Sequence, residues 1–326
     1  MYRSIEICSG AGGQALGLEQ AGFQHEALVE IDRHACETLR LNRPHWNVVP
    51  ADVHEFSGSM FRGVDLLAAG IPCPPFSVAG KQLGQEDERD LFPEVIRLVN
   101  EVQPNAVMVE NVRGLLGPVF DSYRADITAR IESFGYQGFW TLLHASDFGV
   151  PQLRPRAVFV ALRPHLAAKF QWPTPLPHAV STVGDALFSA MSARGWAGAT
   201  EWRMHANRIA PTLVGGSKKH GGPDLGPTRA KKAWAQLLVD GHGLADEPPA
   251  ENFEGMPRLT VSMAARLQGF PPEWTFSGKK TPAYRQVGNA FPPPVARAVG
   301  EAIVQAFKAA EVQLQEEASR RASTGR

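Results

Sequence analysis

The sequence predicts an α/β protein, a doubly wound sheet domain joined to a smaller, irregular one. Three observations carry that expectation. Short apolar runs alternate with helical patterns as far as residue 162, the first strand opens into a glycine-rich turn, and the alternation stops at Arg163, where Pro164, Pro173, Pro175 and Pro177 punctuate the chain. With 326 residues the chain can bury a substantial core. Its formal net charge is zero, so only the local distribution of charge can argue for an anionic partner. The three cysteines, Cys8, Cys36 and Cys73, make no C-x-x-C pair, and the ten histidines show no ligand spacing. A reducing compartment is expected, with neither a disulfide framework nor a metal. No apolar run approaches a membrane span, and residues 3–8 already read as a strand, so a cytoplasmic location follows.

Tyr2–Ile7 is the first strand, and Cys8-Ser9-Gly10-Ala11-Gly12-Gly13 the turn after it. Leu16, Leu18 and Ala21 then mark a helix that ends near Gly22. This is the nucleotide-binding opening of a Rossmann-like fold, in which glycines admit close backbone approach and a helix N-terminus faces an anionic group. The G-x-G-x-x-(G/A) match at Gly10, Gly12 and Ala15 serves equally as a structural turn when it stands alone. A second strand over 26–30 ends in Glu30-Ile31-Asp32, about twenty residues beyond the glycines, where an acid meets ribose hydroxyls. Asp32 reads as the N-cap of a helix over 33–41. A third strand near 47–49 leads to Asp52, either a contact for an adenine amino group or a turn aspartate.

The organising stretch is 64–80, V-D-L-L-A-A-G-I-P-C-P-P-F-S-V-A-G. A buried strand is broken by Gly70, and Pro72, Pro74 and Pro75 set Cys73 on a stiff, non-helical turn. The carboxyl end of a strand is where ligands collect in such a sheet, which makes Cys73 a candidate nucleophile rather than a buried filler. The polar run 82–90 predicts a surface loop above the site. A helix over 91–102 and a buried strand over 104–112 follow, ending in Glu110-Asn111-Val112. Glu110 leaves the sheet at the edge where Cys73 sits and is a candidate proton donor.

A helix over 121–134 and strands over 136–143 and 157–162 complete the alternation. Between those strands Arg154 and Arg156 stand at i and i+2 of an extended segment, facing one way and suited to a carbonyl or carboxylate. The next hundred residues are rich in Gly, Pro and Trp. Arg203, Arg208, Lys218, Lys219, Arg229, Lys231 and Lys232 accumulate there against Asp224, either a solvated face or a set of phosphate contacts. Order returns with a helix capped by Thr260 and closed at Gly269, a turn over 286–290, and an apolar helix opened by Pro292–Pro294 that runs to about Phe307. The expected division is 1–170 for catalysis and cofactor, 171–257 for target recognition, 258–312 for closing elements, and 313–326 as a frayed polar tail.

These pieces, in this order, resemble the DNA cytosine-5 methyltransferase family over nearly the whole chain. The likeness rests on the turn at 8–17, Pro72-Cys73, Glu110-Asn111-Val112, Gln152-Leu153-Arg154-Pro155-Arg156, Arg258-Leu259-Thr260 with Gly269-Phe270-Pro271, and Gly288-Asn289. It implies an S-adenosyl-L-methionine-dependent methyltransferase of restriction–modification type. The Cys73 thiolate would add to C6 of a flipped-out cytosine, Glu110 would hold or protonate N3, and Arg156 would contact O2 with Arg154 beside it. Ribose would meet Glu30, the adenine face Ile31 and the adenine amino group Asp52. Cys8, Gly10, Gly12, Pro72, Leu91, Asn289 and Ala290 would complete the cofactor site, with S-adenosyl-L-homocysteine as product and no metal. The resemblance further implies double-stranded DNA as substrate, with contacts at Ser77, Lys81, Arg89 and the basic residues above, a loop over 77–89 closing on the base, a separately encoded restriction endonuclease as companion, a monomeric enzyme, and residence at the nucleoid through DNA.

Three positions depart from the family pattern. Cys8 stands where an aromatic residue usually stacks on adenine, Pro74 replaces the commoner Gln, and Met263 occupies a frequent Glu position. Rival readings are a tRNA cytosine-5 methyltransferase, an inactive regulatory DNA-binding homologue, and a nicotinamide-dependent oxidoreductase. The long segment before residue 258 favours DNA, retention of Cys73, Glu110 and Arg156 favours activity, and the last rival explains the glycine turn alone.

Overall fold

The computed structural model describes residues 1–72, 90–176, 181–216 and 222–324. Seven strands form one sheet in the order β3-β2-β1-β4-β5-β7-β6. They are β1 (Tyr2–Ile7), β2 (Phe23–Glu30), β3 (Val48–Pro50), β4 (Leu66–Gly70), β5 (Ala106–Val112), β6 (Gln137–His144) and β7 (Pro155–Leu162). The first five are parallel, and β7 runs antiparallel to both its neighbours. The order reverses between β1 and β4, so the crevice beyond their carboxyl ends is the switch point at which such sheets bind ligands.

Period-two alternation on buried strands makes two apolar faces. Leu67, Ala69, Val107 and Val109 pack with α3 (Phe92–Val102) and α4 (Asp121–Glu132). Leu66, Ala68, Ala106 and Met108 pack on the other face with α1 (Gly13–Gln20) and α11 (Pro293–Thr324). The chain thus returns its last helix to the domain that its first strand begins. α2 (Arg33–Asn42) starts as expected at Asp32, whose carboxylate accepts the N–H groups of His34 (2.9 Å) and Ala35 (3.2 Å).

Three differences from the sequence expectation have physical causes. Residues 286–290 are not a free turn: α10 (Lys280–Asn289) ends there and Ala290 caps it. The Gln286 amide holds that last turn, donating to the Ser277 carbonyl (2.8 Å) while accepting the Thr38 hydroxyl (2.6 Å). The tail is not frayed from 313: α11 is helical through Thr324 although every residue from 311 to 321 is exposed. Its Ala, Glu, Gln and Arg content is helix-forming, and Gln313 bonds Glu317 one turn on (2.8 Å). The region 171–257, expected to be irregular, carries α6 (Val183–Met191), α7 (Ala199–His205) and α8 (Thr228–Ala235) between its loops, after the short α5 (Pro164–Ala167). Its buried Trp196, Trp202 and Trp234 belong to a cluster that also holds Leu16 and Leu39 of the first helices.

α9 (Val261–Leu267) begins at Thr260 as the sequence predicts, with the hydroxyl accepting the Met263 N–H (3.2 Å). Met263 closes the capping box with sulfur, its Sδ lying 3.5 Å from the Thr260 N–H, so the departure at this position keeps the cap in weaker form.

Candidate active site

Register brings Glu110 and Arg156 to the edge at which β4 ends. Gly70, the last residue of β4, pairs with Glu110 of β5. Beyond Gly70 the chain runs through Ile71 and the exposed Pro72 directly to Cys73. Cys73 itself, with Ser77, Lys81, Arg89 and the polar loop, lies outside the described residues, as do Pro74, Lys218 and Lys219.

Arg156 sits opposite Val112 on β7, diagonal to Glu110 and therefore on the same face of the sheet. Its Nε lies 2.6 Å from Glu110 Oε1, both side chains about one-tenth exposed. The contact is an ion pair without aligned hydrogen-bond geometry, and Arg156 Nη1 donates to the Pro155 carbonyl (3.0 Å). Burial raises the Glu110 pKa, while Arg156 and then Arg154 draw it back down; burial prevails. A carboxyl so placed can hold a proton nearer neutrality than an ordinary one. Beside it Asn111 is buried, its Oδ1 accepting the Val112 N–H (2.8 Å) and its Nδ2 without a partner among the described residues.

Arg154 does not share this role. The sequence expectation of two arginines facing one substrate fails because Arg154 precedes the regular strand, where alternation no longer sets direction. Its guanidinium is buried and donates to the carbonyls of Leu213, Gly288 and Ala290, each at 2.8 Å. It ties segments together and touches no substrate face.

At the cofactor edge, the turn after β1 needs unusual backbone. Cys8, Gly10 and Gly12 all take positive φ (52°, 54° and 84°), which glycine adopts freely and cysteine does not. Glu30 holds this turn: its two carboxylate oxygens accept the N–H groups of Gly10 and Asp32, each at 2.7 Å. Each oxygen keeps a lone pair for a hydroxyl. Burial raises the Glu30 pKa against those bonds. A methyl group added to Gly10 would meet nothing within 4 Å, so the turn faces open space. Next to it the Ile31 side chain is 68% exposed. An open turn, a carboxylate with free lone pairs and an uncovered apolar side chain fit a ribose with an adenine plane beside it. Asp52 is partly committed, since its Oδ1 accepts the His54 N–H (3.0 Å) and faces the ring Nδ1 (2.7 Å); these bonds hold its carboxyl below the usual range.

Leu91 is buried at the start of α3. Ala290 lies against the first residue of α1, whose added Cβ would come within 3.3 Å of it, so Ala290 reaches the glycine turn. Asn289 is exposed, with Nδ2 donating to the Gly216 carbonyl (3.3 Å). The two described cysteines are neutral thiols: burial and then the Glu30 carboxylate push Cys8 up, and the same causes push Cys36 up to about 11. Cys36 donates to the Glu30 carbonyl (3.2 Å).

Sequence reading missed several buried polar residues here. Glu6 and Gln14 stand under the turn, and burial pushes the Glu6 carboxyl well up; an acid inside an apolar strand was the available signal. Gln268, fully buried, gave none, and Gln152, also fully buried, stood in the Gln152–Arg156 motif without a role of its own. Among the described residues no group of three His, Cys, Asp or Glu side chains is arranged to hold a metal ion, and no helix is long and apolar enough to cross a membrane.

The basic residues divide. Arg203 pairs with Asp185 (2.8 Å) and lies over the Phe188 ring, and Lys231 pairs with Asp224 (2.8 Å). Arg208, Arg229 and Lys232 are exposed, with no ion-pair partner among the described residues.

Comparison with known proteins places these features in context. A family model described as C-5 cytosine-specific DNA methylase matches residues 2–305. The chain is 56% identical over 310 residues to the Type II methyltransferase M.NgoMIV of Neisseria gonorrhoeae, covering 94% of this chain and 98% of that protein. It is 56% identical over 305 residues to the Type II methyltransferase M.NaeI of Lentzea aerocolonigenes, covering 92% and 74%. Among solved structures it resembles the S. pombe Dnmt2 methyltransferase in fold, with a TM-score of 0.63, 17% identity, and 94% and 99% of the two chains covered.

Proposed function

The chain belongs to the C-5 cytosine-specific DNA methylase family, and from that membership we propose which of its residues run the reaction. It is a sequence-specific DNA cytosine-5 methyltransferase of restriction–modification type. S-adenosylmethionine supplies the electrophilic methyl group. The observation that supports the assignment is the pairing of Gly70 with Glu110: the chain leaves β4 toward Pro72, the residue before Cys73 in sequence, at the sheet edge that carries the Glu110–Arg156 pair.

Cytosine C5 is a weak nucleophile, so the ring must first be activated. The Cys73 thiolate forms a bond to C6, and the C5–C6 π electrons move onto C5 as charge is drawn toward N3. Glu110, whose pKa burial raises, is the acid placed to give a proton to N3 and so support that shift. Arg156 turns from Glu110 to the O2 carbonyl, and the ion pair holds it ready at the edge. C5 would then take the methyl group as the sulfonium S–CH₃ bond breaks and S-adenosylhomocysteine leaves; the N3 proton returns to Glu110, a base removes the C5 proton, and the C6–S bond breaks to return the thiolate. Cys8 and Cys36, held as neutral thiols, do not compete for this role. Cytosine reaches these groups only outside the duplex stack, an extrusion that costs a few kcal/mol.

For the cofactor, Glu30 takes the ribose hydroxyls, Ile31 covers one adenine face, and Asp52 offers its remaining acceptor to the adenine amino group. Cys8, Gly10, Gly12, Pro72, Leu91, Asn289 and Ala290 surround the rest. The exposed Arg208, Arg229 and Lys232 meet phosphates of double-stranded DNA, together with Ser77, Lys81, Arg89, Lys218 and Lys219. The enzyme works as a monomer at the nucleoid, with a separately encoded endonuclease of the same specificity; the Type II names of its relatives support this companion.

The test is bisulfite sequencing of host DNA after expression of the wild type and of Cys73→Ala in a strain without cytosine methylation. Protected cytosines in one short motif, present with the wild type alone, are expected. Protection by Cys73→Ala would remove the nucleophile assignment. No protection by a folded wild type that binds S-adenosylmethionine would move the search to tRNA.

A further inference from the structure

Two glutamines outside the reacting groups hold the recognition region against the cytosine-binding edge. Gln152 Oε1 accepts the Leu213 N–H (2.8 Å), and its amide nitrogen donates to the Leu267 carbonyl (3.0 Å) and to Gln268 Oε1 (2.7 Å). Gln268 Nε2 carries the chain on to the carbonyls of Val287 (2.7 Å) and Ala290 (3.4 Å). A backbone N–H at one end and carbonyls at the other leave a single orientation for both amides.

Arg154 closes the same hub. It donates to the Leu213 carbonyl while Gln152 accepts the Leu213 N–H, so side chains two positions apart grip both polar groups of one residue. The backbone seals the register, with Ala210 N donating to Pro151 O (2.9 Å) and Leu153 N to Ala210 O (2.8 Å). The segment so fixed runs from Ala210 to Gly216. Arg156, in β7, stands two residues beyond Arg154.

We propose that Gln152 and Gln268 are positioning residues, which set the register between the recognition segment 210–216 and the Glu110–Arg156 pair. The proposal rests on the assignment of that pair to the cytosine. An apolar pair would fill the same volume without the cost of burying amides, but it would not select one arrangement. DNA is held by one side of this hub and its extruded base is received by the other. A productive site tolerates about half an ångström of misplacement, so slack in the hub appears in turnover before it appears in DNA affinity.

The experiment compares the full-length wild type with Gln152→Met, Gln268→Met and the double variant. It reads melting temperature, DNA Kd, single-turnover methylation at saturating DNA and S-adenosylmethionine, and protected cytosines outside the cognate motif. Each single variant is expected to lose at least tenfold in rate with DNA Kd changed less than threefold, and off-motif protection is expected to rise. The double variant should lose less than the product of the singles, because the two amides act as one chain. Wild-type rates in both singles would overturn the proposal, as would a loss that disappears on assay well below the lowered melting temperature, or failure of both to fold. A wild type that methylates no DNA would instead remove the reading on which the proposal rests.

Discussion

Glu110 and Arg156 meet across neighbouring antiparallel strands with Oε1 and Nε 2.6 Å apart, at the sheet edge from which the chain passes to Cys73. Burial raises the Glu110 pKa above its ordinary 4.5 in spite of the arginine. A raised carboxyl pKa means that the folded state binds the proton more tightly. Its contribution to stability is therefore complete below the ordinary value and is lost as pH rises toward the folded one. Glu110→Gln should flatten that fall in denaturant-melt stability over the same window. It should also lower methyl transfer by about 10²–10⁴-fold, the usual range for a general acid. A wild-type rate in Glu110→Gln would assign N3 to another group.

How much of this was legible in the sequence depended on the range of the interaction. Glu30, Asp32 and the glycine turn are local: a strand end, a cap and a φ requirement, all visible in consecutive residues. Glu110 could be placed because buried parallel strands end at a common edge. Arg154 was misread because its partners, Leu213, Gly288 and Ala290, come from segments far along the chain. Gln152 and Gln268, 116 positions apart, leave no periodic trace at all. The last turn of α10 looked like a loop because Gly288 lowers helix propensity, while the packing of Val287 that overrides it is tertiary.

Ile31 tests the cofactor edge without disturbing the fold. Its side chain is 68% exposed, so Ile31→Ala should leave the melting temperature of the cofactor-free protein unchanged. If adenine covers it, the truncation removes three carbons and, at about 0.8 kcal/mol per buried CH₂, up to roughly 2.4 kcal/mol, or about fiftyfold in Kd. Isothermal titration with S-adenosylhomocysteine reads this directly. Unchanged affinity would place the adenine elsewhere.

Gly288 tests the close approach between α10 and the recognition segment. A Cβ there would stand 2.3 Å from the Gly215 backbone nitrogen, a contact that only backbone displacement can relieve. Gly288→Ala should destabilise by about 1–3 kcal/mol, seen as a lowered melting temperature, and should weaken DNA binding as the segment shifts. Gly222→Ala is the control, because its Cβ would meet nothing within 4 Å. Equal melting temperatures for the two variants would mean that the segment yields without cost.

Salt dependence separates the two kinds of basic residue. A cation that neutralises a DNA phosphate releases counterion, and each such contact contributes about 0.9 to the slope of log K against log salt. Arg208, Arg229 and Lys232 are exposed without an ion-pair partner among the described residues, so replacing any one that meets a phosphate by Ala should reduce the slope by about 0.9. Arg203 already spends its guanidinium on Asp185, with Nε and Nη2 at 3.0 and 2.8 Å. Arg203→Ala should therefore loosen α6 against α7 and lower the melting temperature, with a smaller change in slope. Fluorescence anisotropy across a salt series measures both sets. A full unit lost with Arg203→Ala, and none with the other three, would reverse the assignment and put the α6–α7 face on the DNA.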